Sequence, residues 1–168
     1  MDIKKELLEE YSKPQAMKIS SYIGKDENRF GELMNLFFED GYRITQRAAW
    51  VVSHCSDKYP ELIGPYIEPM IMNLRNDIPV AVQRNTLRVL QEKEMPDGLI
   101  GDAADICFKL LESAKEPIAV KVFAMTLLAN ICKKVPELKN ELRILIEDQL
   151  PYGSAGFKSR ATKILKKL

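Results

Sequence analysis

The sequence predicts an all-α fold in which antiparallel helix pairs stack into an α-solenoid. Three observations predict it: apolar residues recur at three- and four-residue steps, prolines stand where apolar segments begin, and one segment pattern repeats along the chain. The helical step is clear in Leu99, Ala103, Ile106 and Leu110. The sequence has no alternating apolar and polar runs joined by glycine turns, which would indicate β-hairpins.

The composition is that of a soluble globular protein. The chain has 168 residues, of which 46% are hydrophobic and 29% charged, and this balance excludes intrinsic disorder. Its net charge is +1, so we expect no whole-chain electrostatic attraction to nucleic acid or to a membrane. No apolar run approaches the roughly 20 residues of a membrane span, and the first residues lack the apolar stretch of a signal peptide. We therefore expect a cytoplasmic protein.

Prolines and apolar periodicity together predict ten helices. Proline fits the first turn of a helix, where its missing N–H costs nothing, and most of the nine prolines occupy such places. The short connections predict that consecutive helices pack antiparallel. The predicted ranges are 2–10, 14–23, 27–39, 42–56, 61–75, 79–91, 97–112, 117–134, 137–148 and 153–167.

The helix pairs repeat with a period of about 37 residues. Basic residues recur at this step in the second helix of each pair: Arg47, Arg84, Lys121 and Lys158. Aligning the segments that begin at Pro79 and Pro117 gives 38 instead, so two registers remain open for the later repeats. A helix pair of this size cannot bury its apolar faces alone, which is why such units stack.

One copy of the repeat has a recognisable order of residues. Asp77 lies in the turn, Pro79 opens the second helix, and Arg84 follows among small and apolar residues. This order resembles the HEAT repeat, and armadillo repeats stack in a similar way. A looser copy begins at Glu116, and a third copy without the proline begins at Asp40.

The resemblance covers residues 27–167 and implies the architecture. It implies a right-handed α-solenoid of about five antiparallel helix pairs, a HEAT-like, armadillo-type superhelix. The chain is then a single domain over residues 1–168, with capping helices in 1–26 and about four repeats of roughly 37 residues in 27–167.

Charge is predicted to be segregated between the two helices of each pair. The first helices carry −10 in total and the second helices carry +13. In solenoids of this kind the second helices usually line the concave side, so the sequence predicts a basic groove that attracts an anionic partner. Lys18 stands at one end of this groove. The candidate binding residues are Arg43, Arg47, Trp50, Arg84, Arg88, Lys121, Lys158 and Arg160.

Two of these arginines also fit a structural role. Asp40 precedes Arg47 by seven residues, and Asp77 precedes Arg84 by seven. The HEAT resemblance implies a ladder of Asp–Arg pairs between neighbouring repeats at these positions. The remaining cations have no such aspartate, so either a partner contact or a solvated helix face fits Arg43, Arg88, Lys121 and Lys158.

The aromatic and polar residues near the groove favour structural roles. Trp50 aligns with Leu87 one repeat later, so a core position fits it better than an exposed anchor. His54 and Cys55 are adjacent and point in different directions on a helix, which argues against a catalytic pair. The last helix is expected to pack on the helix before it, with an oligomerisation edge as the other interpretation of its Ile164, Leu165 and Leu168.

No motif for catalysis, a cofactor or a metal is present in the sequence. The widely spaced Cys55, Cys107 and Cys132 indicate buried thiols, and the chain has a single histidine. Asp102 and Asp105 fit an acidic outer surface better than a cation site. Phosphate-binding loops and hydrolase motifs are absent. We therefore expect no cofactor and no enzymatic activity.

Two functions remain open at this point. The first is a non-enzymatic scaffold that binds a protein or an acidic peptide in the basic groove. The second is a nucleic-acid-binding protein related to the HEAT-like alkylpurine DNA glycosylases, which the helical repeats and inner basic residues resemble. Guanidinium groups bind carboxylate and phosphate equally well, so the residue types alone do not decide between them.

Overall fold

The computed structural model describes residues 1–39 and 41–168, and this part of the chain is all-α. It contains no β-strand, as the sequence predicted. The right-handed sense of the superhelix and the number of pairs stay predictions. The helices of the described residues are α1 (Ile3–Glu9), α2 (Lys13–Ile23), α3 (Glu27–Glu39), α4 (Tyr42–Lys58), α5 (Ile67–Asn73), α6 (Val80–Leu90), α7 (Ile100–Glu112), α8 (Ile118–Lys134), α9 (Lys139–Gln149) and α10 (Ala155–Lys167).

The predicted helix 61–75 is the one that differs most from the structure. Its first half, Pro60–Tyr66, is a 3-10 helix, and α-helical geometry begins only at Ile67. Pro65 lies inside this stretch, where it lacks an N–H and its ring would clash with a carbonyl of an α-helical turn. Short 3-10 turns also precede α7 and α9.

Local capping fixes where several helices begin. The side chain of Asp2 accepts a hydrogen bond from the backbone N–H of Lys5 at 3.0 Å, and Ser12 accepts one from Gln15 at 3.3 Å. Ser154 does the same for Phe157 at the start of α10. These caps satisfy backbone donors that the first turn of a helix leaves without partners.

The described helices divide into two compact units, residues 1–89 and 90–168. In unit 1 the central element is α4, which contacts α1, α2, α3 and the 3-10 helix Pro60–Tyr66. Phe30, Leu33 and Phe37 of α3 are almost completely buried in this unit. Burial of side chains of this size stabilises a fold by about 1.5–3 kcal/mol each.

In unit 2 the central element is α8, which contacts α7, α9 and α10. It is apolar around most of its circumference, as expected of a helix that is covered on several sides. The apolar side of α10 is covered as well, since Phe157 and Ile164 are buried. The predicted packing of the last helix is confirmed, although α8 provides more of the contact than α9.

Replacing Gly24 with alanine should destabilise unit 1. Gly24 ends α2 with φ of +53° and ψ of −130°, a backbone conformation that a Cβ makes strained. We expect Gly24→Ala to lower the free energy of unfolding by about 1–3 kcal/mol in urea denaturation. Gly64→Ala is the matched control, because an added Cβ meets no atom within 4 Å there. Equal stabilities of the two variants would contradict this explanation.

Candidate partner-binding surfaces

One face of α4 carries most of the candidate residues of unit 1. Arg43, Arg47, Trp50 and His54 follow one another at steps of three and four residues, so they lie on the same side of the helix. Arg43 is exposed and forms no hydrogen bond or ion pair with a described residue, whereas the other three are half-buried. The open face of α4 therefore holds both charge and aromatic surface.

Arg47 connects α4 to the N-terminal helix. Its guanidinium donates a hydrogen bond to the backbone carbonyl of Leu7 at 2.7 Å and lies over the ring of Tyr11, 5.4 Å from the ring centroid. The partner that the ladder hypothesis gave it, Asp40, lies outside the described residues. Arg47 thus has a structural role in attaching α1.

Trp50 is only partly a core residue. Its ring is half-buried and meets the ring of Tyr11 edge-on, with 5.3 Å between centroids. Tyr11 itself is 49% exposed. Leu87, which occupies the aligned position one repeat later, is fully buried. Part of the indole of Trp50 is therefore buried and part is open to solvent. The Tyr11–Trp50 pair forms an aromatic surface on the side of α4 that also carries Arg43 and Arg47.

In unit 1 one Asp–Arg pair joins α4 and α6, and its residues are not those at which the ladder was expected. Arg88 forms a bidentate salt bridge with Asp57 at 3.0 and 3.1 Å and also donates to the hydroxyl of Ser53. Arg84 and Asp77 are both exposed and form no ion pair with each other, so the expected ladder between neighbouring repeats stays a prediction at these two positions. The Asp57–Arg88 salt bridge joins the last turns of α4 and α6. Arg88 also interacts favourably with the dipole of α6, because it lies near the C-terminal end of that helix.

Lys121 in unit 2 links two helices. Its ammonium donates to the side-chain oxygen of Gln149 at 2.9 Å, and the amide nitrogen of Gln149 donates to the carbonyl of Leu111 at 2.8 Å. Burial lowers the pKa of Lys121 and nearby Glu116 partly opposes this shift. This lysine is therefore less accessible to an anionic partner than the sequence predicted.

The two candidate basic residues of the last helix differ, since one is hydrogen-bonded and the other is exposed. Arg160 donates to the hydroxyl of Thr126 at 2.7 Å and to the side chain of Gln91 at 3.4 Å. Lys158 is exposed and makes no bond with a described residue. At the other end of the chain, Lys18 pairs with Glu6 at 2.7 Å.

Helix ends are capped by side chains from about one repeat further along the chain. The last carbonyls of a helix have no partner within that helix. Side-chain donors 38 to 40 residues later satisfy carbonyls at the ends of helices or in the loop that follows. The bonds join Arg47 to Leu7, Asn130 to Gln91, Lys134 to Met95 and Gln149 to Leu111. These bonds were not predicted from the sequence. Polar residues about 38 to 40 positions after a helix end would have indicated them.

The three cysteines are buried, and the one histidine is half-buried. Burial raises the pKa of the Cys55 thiol to about 11 and that of Cys107 to about 12, so both stay protonated at neutral pH. All three cysteines are buried, as predicted. The Nε2 atom of His54 is also buried and has no hydrogen-bond partner among the described residues. Within the described residues, no group of three or more His, Cys, Asp or Glu side chains is arranged to hold a metal ion.

Comparison with known families identifies the repeat. A family model described as HEAT repeat domain matches residues 3–168. The chain belongs to the HEAT repeat family. None of the curated proteins or solved structures with which it was compared matches it significantly. As a HEAT repeat protein, it is a repeat scaffold of the kind that generally mediates protein interactions. Its described helices include none long and apolar enough to cross a membrane.

The Asp57–Arg88 pair should stabilise unit 1 modestly. Both side chains are about half exposed, at 51% and 40%, so water screens the attraction. A double-mutant cycle with Asp57→Asn and Arg88→Gln should give a coupling energy of about 0.5–1 kcal/mol, measured by urea unfolding. The coupling should shrink in concentrated salt. A coupling energy of zero at low salt would mean that the bidentate pair does not contribute.

Protonation of His54 should destabilise the folded state. Burial is the main reason that its pKa lies below the ordinary 6.5, with Asp57 opposing and Arg88 reinforcing the shift. Above about pH 6.5 both states hold a neutral imidazole. As the pH falls below that value the unfolded chain binds the proton first, so stability declines until the folded pKa is passed.

The measurement for His54 is the free energy of unfolding at pH 7.5 and pH 5.5. His54→Gln provides the comparison, because it removes this titration and leaves every carboxylate in place. The loss of stability between the two pH values should be smaller in the variant. An identical loss in both proteins would show that other groups cause it.

Proposed function

We propose that this HEAT repeat protein is a non-enzymatic interaction scaffold whose unit 1 binds an acidic segment of a protein partner. The proposed surface, here called the α4 surface, consists of Arg43, Arg84, Trp50 and Tyr11. The observation that carries the proposal is that two exposed guanidinium groups of unit 1 have no bonded partner among the described residues, in a unit that also presents the half-buried Trp50 against the half-exposed Tyr11.

The placement of Arg84 follows from its neighbour on α6. Arg88 contacts Ser53 and Asp57 of α4, and Arg84 lies one turn earlier on the same side of α6. Arg43 and Trp50 share the open face of α4. The α4 surface therefore combines charges that recognise carboxylates with aromatic rings that bury apolar side chains.

Arginine and aromatic residues are the types most enriched at protein interfaces. A tryptophan in a half-buried position already has its conformation fixed, so little entropy is lost when a partner covers it. Tyr11 holds the indole of Trp50 edge-on and so helps to preorganise it. This arrangement suits an acidic peptide that also contributes an apolar side chain.

The charge inventory favours a protein partner over a nucleic acid. Affinity for duplex DNA depends on several simultaneous phosphate contacts, and its salt dependence grows with their number. In unit 1 the bonds of Arg47 and Arg88 leave Arg43 and Arg84 as the exposed cations of the candidate set. Two guanidinium groups are enough to orient an acidic peptide.

The test is binding of a fluorescent peptide of alternating glutamate and leucine, followed by polarisation at two salt concentrations. Arg43→Glu/Arg84→Glu should weaken binding by about tenfold or more, which corresponds to about 1.4 kcal/mol. Added salt should weaken the wild-type complex. Trp50 is the chain's one tryptophan, so its fluorescence should change when the peptide covers it.

The matched control is Lys5→Glu/Lys166→Glu. It changes the net charge by the same amount at exposed lysines whose side chains make no bond with a described residue. Equal weakening in both variants, or no binding by the wild type, would contradict the proposal. Binding of a random-sequence DNA duplex with a steep salt dependence, together with no peptide binding, would replace it with a nucleic-acid function.

A further inference from the structure

Unit 2 contains a cleft at the turns that join the two helices of its repeats. The cleft has a volume of about 380 Å³ and lies between the α7–α8 turn on one side and the α9–α10 turn on the other. It is here called the turn cleft. Its lining is mainly acidic, whereas the second helix of each predicted pair is basic in sequence.

Carboxylates dominate the charge of the turn cleft. Glu112, Glu116 and Asp148 line it, and none of them forms a hydrogen bond or ion pair with a described residue. The one cation of the lining, Lys121, is already bonded to the side chain of Gln149. The described lining therefore carries three carboxylates against one ammonium group, that of Lys121, and none of the three carboxylates is held in a salt bridge.

Two large side chains stand open beside these carboxylates. Tyr152 is 90% exposed and Ile118 is 48% exposed, and both line the same cleft. An exposed tyrosine ring attracts a cation over its face, and this attraction strengthens when the pair is removed from water. Ile118 offers an apolar contact to the aliphatic part of a long basic side chain.

A cleft occurs at the equivalent turns of unit 1, which indicates that the repeat itself creates it. It has a volume of about 240 Å³ and includes Asn73, Pro79 and Val82. The residues 75 positions later, Asp148, Ser154 and Phe157, line the turn cleft of unit 2. Among the described residues that line the unit 1 cleft, Asp77 alone is acidic.

We infer that the turn cleft of unit 2 is a second docking site, which binds a basic segment of a protein partner rich in arginine or lysine and carrying an apolar residue. Charge complementarity selects this occupant, because three unpaired carboxylates would repel an acidic segment. Arginine fits best, since its guanidinium pairs with carboxylates and stacks on an aromatic ring. The inference does not depend on the α4 surface, which recognises the opposite charge.

The experiment uses the full chain and a fluorescent peptide of alternating arginine and leucine, followed by polarisation at low and moderate salt. The test variant is Glu112→Gln/Glu116→Gln/Asp148→Asn, which keeps the size of each side chain and removes its charge. We expect the wild type to bind and the test variant to bind at least tenfold more weakly. Tyr152→Ala should also weaken binding severalfold.

The matched control is Glu10→Gln/Glu32→Gln/Glu141→Gln. It neutralises three exposed carboxylates that line no described cleft and have no bonded partner among the described residues. Its affinity should stay within twofold of the wild type. Equal weakening in the control, or no binding by the wild type, would overturn the inference. Unchanged binding in Tyr152→Ala would overturn the part assigned to the tyrosine ring.

A second copy of the chain is the alternative occupant of the turn cleft, because α10 is itself basic. The test must distinguish this occupant from a segment of another protein. Sedimentation velocity of the wild type and of the test variant decides this. A monomeric wild type supports a partner segment. Self-association that disappears in the test variant would overturn the inference in favour of a homo-oligomer. Both results are independent of whether the acidic peptide binds the α4 surface.

Discussion

The structure depends on one constraint, which is that a single pair of short helices is not stable without neighbouring helices. Each pair leaves an apolar face uncovered and leaves carbonyls at its helix ends without hydrogen bonds. Both needs are met by the next pair within a unit. In unit 2, α8 is covered by three helices, and Gln149 of α9 donates to the carbonyl of Leu111 at the end of α7.

The same constraint reduces the number of basic side chains that are available to a partner, because several of them are bonded to neighbouring helices. Arg47 is bonded to the backbone of α1, Arg88 to Asp57, and Lys121 to Gln149. A cation that already donates to a protein acceptor has fewer donors left for a partner, and moving it toward that partner costs the free energy of the bond it makes. The second helices are basic in sequence, but much of that charge ties neighbouring helices together.

The charged side chains left open on the described residues are of both signs. Unit 1 presents Arg43 and Arg84 together with the partly exposed rings of Tyr11 and Trp50, while carboxylates line the turn cleft of unit 2. A scaffold with separate surfaces of opposite charge is suited to holding two different partner segments. Steering by charge would then favour the correct partner at each surface, since like charges repel the wrong one.

The sequence by itself determined the helices, the repeat and the family, because apolar periodicity and proline placement are local properties of the chain. Its largest error, the start of the predicted helix 61–75, came from Pro65, whose effect is also local. The tertiary structure alone decided which cations are free and where carboxylates gather. Asp57 meets Arg88 and not Arg84, because the packing of α6 on α4 sets which turn of one helix faces which turn of the other. Sequence spacing fixes the side of a helix on which a residue lies, but not the height at which the neighbouring helix crosses it.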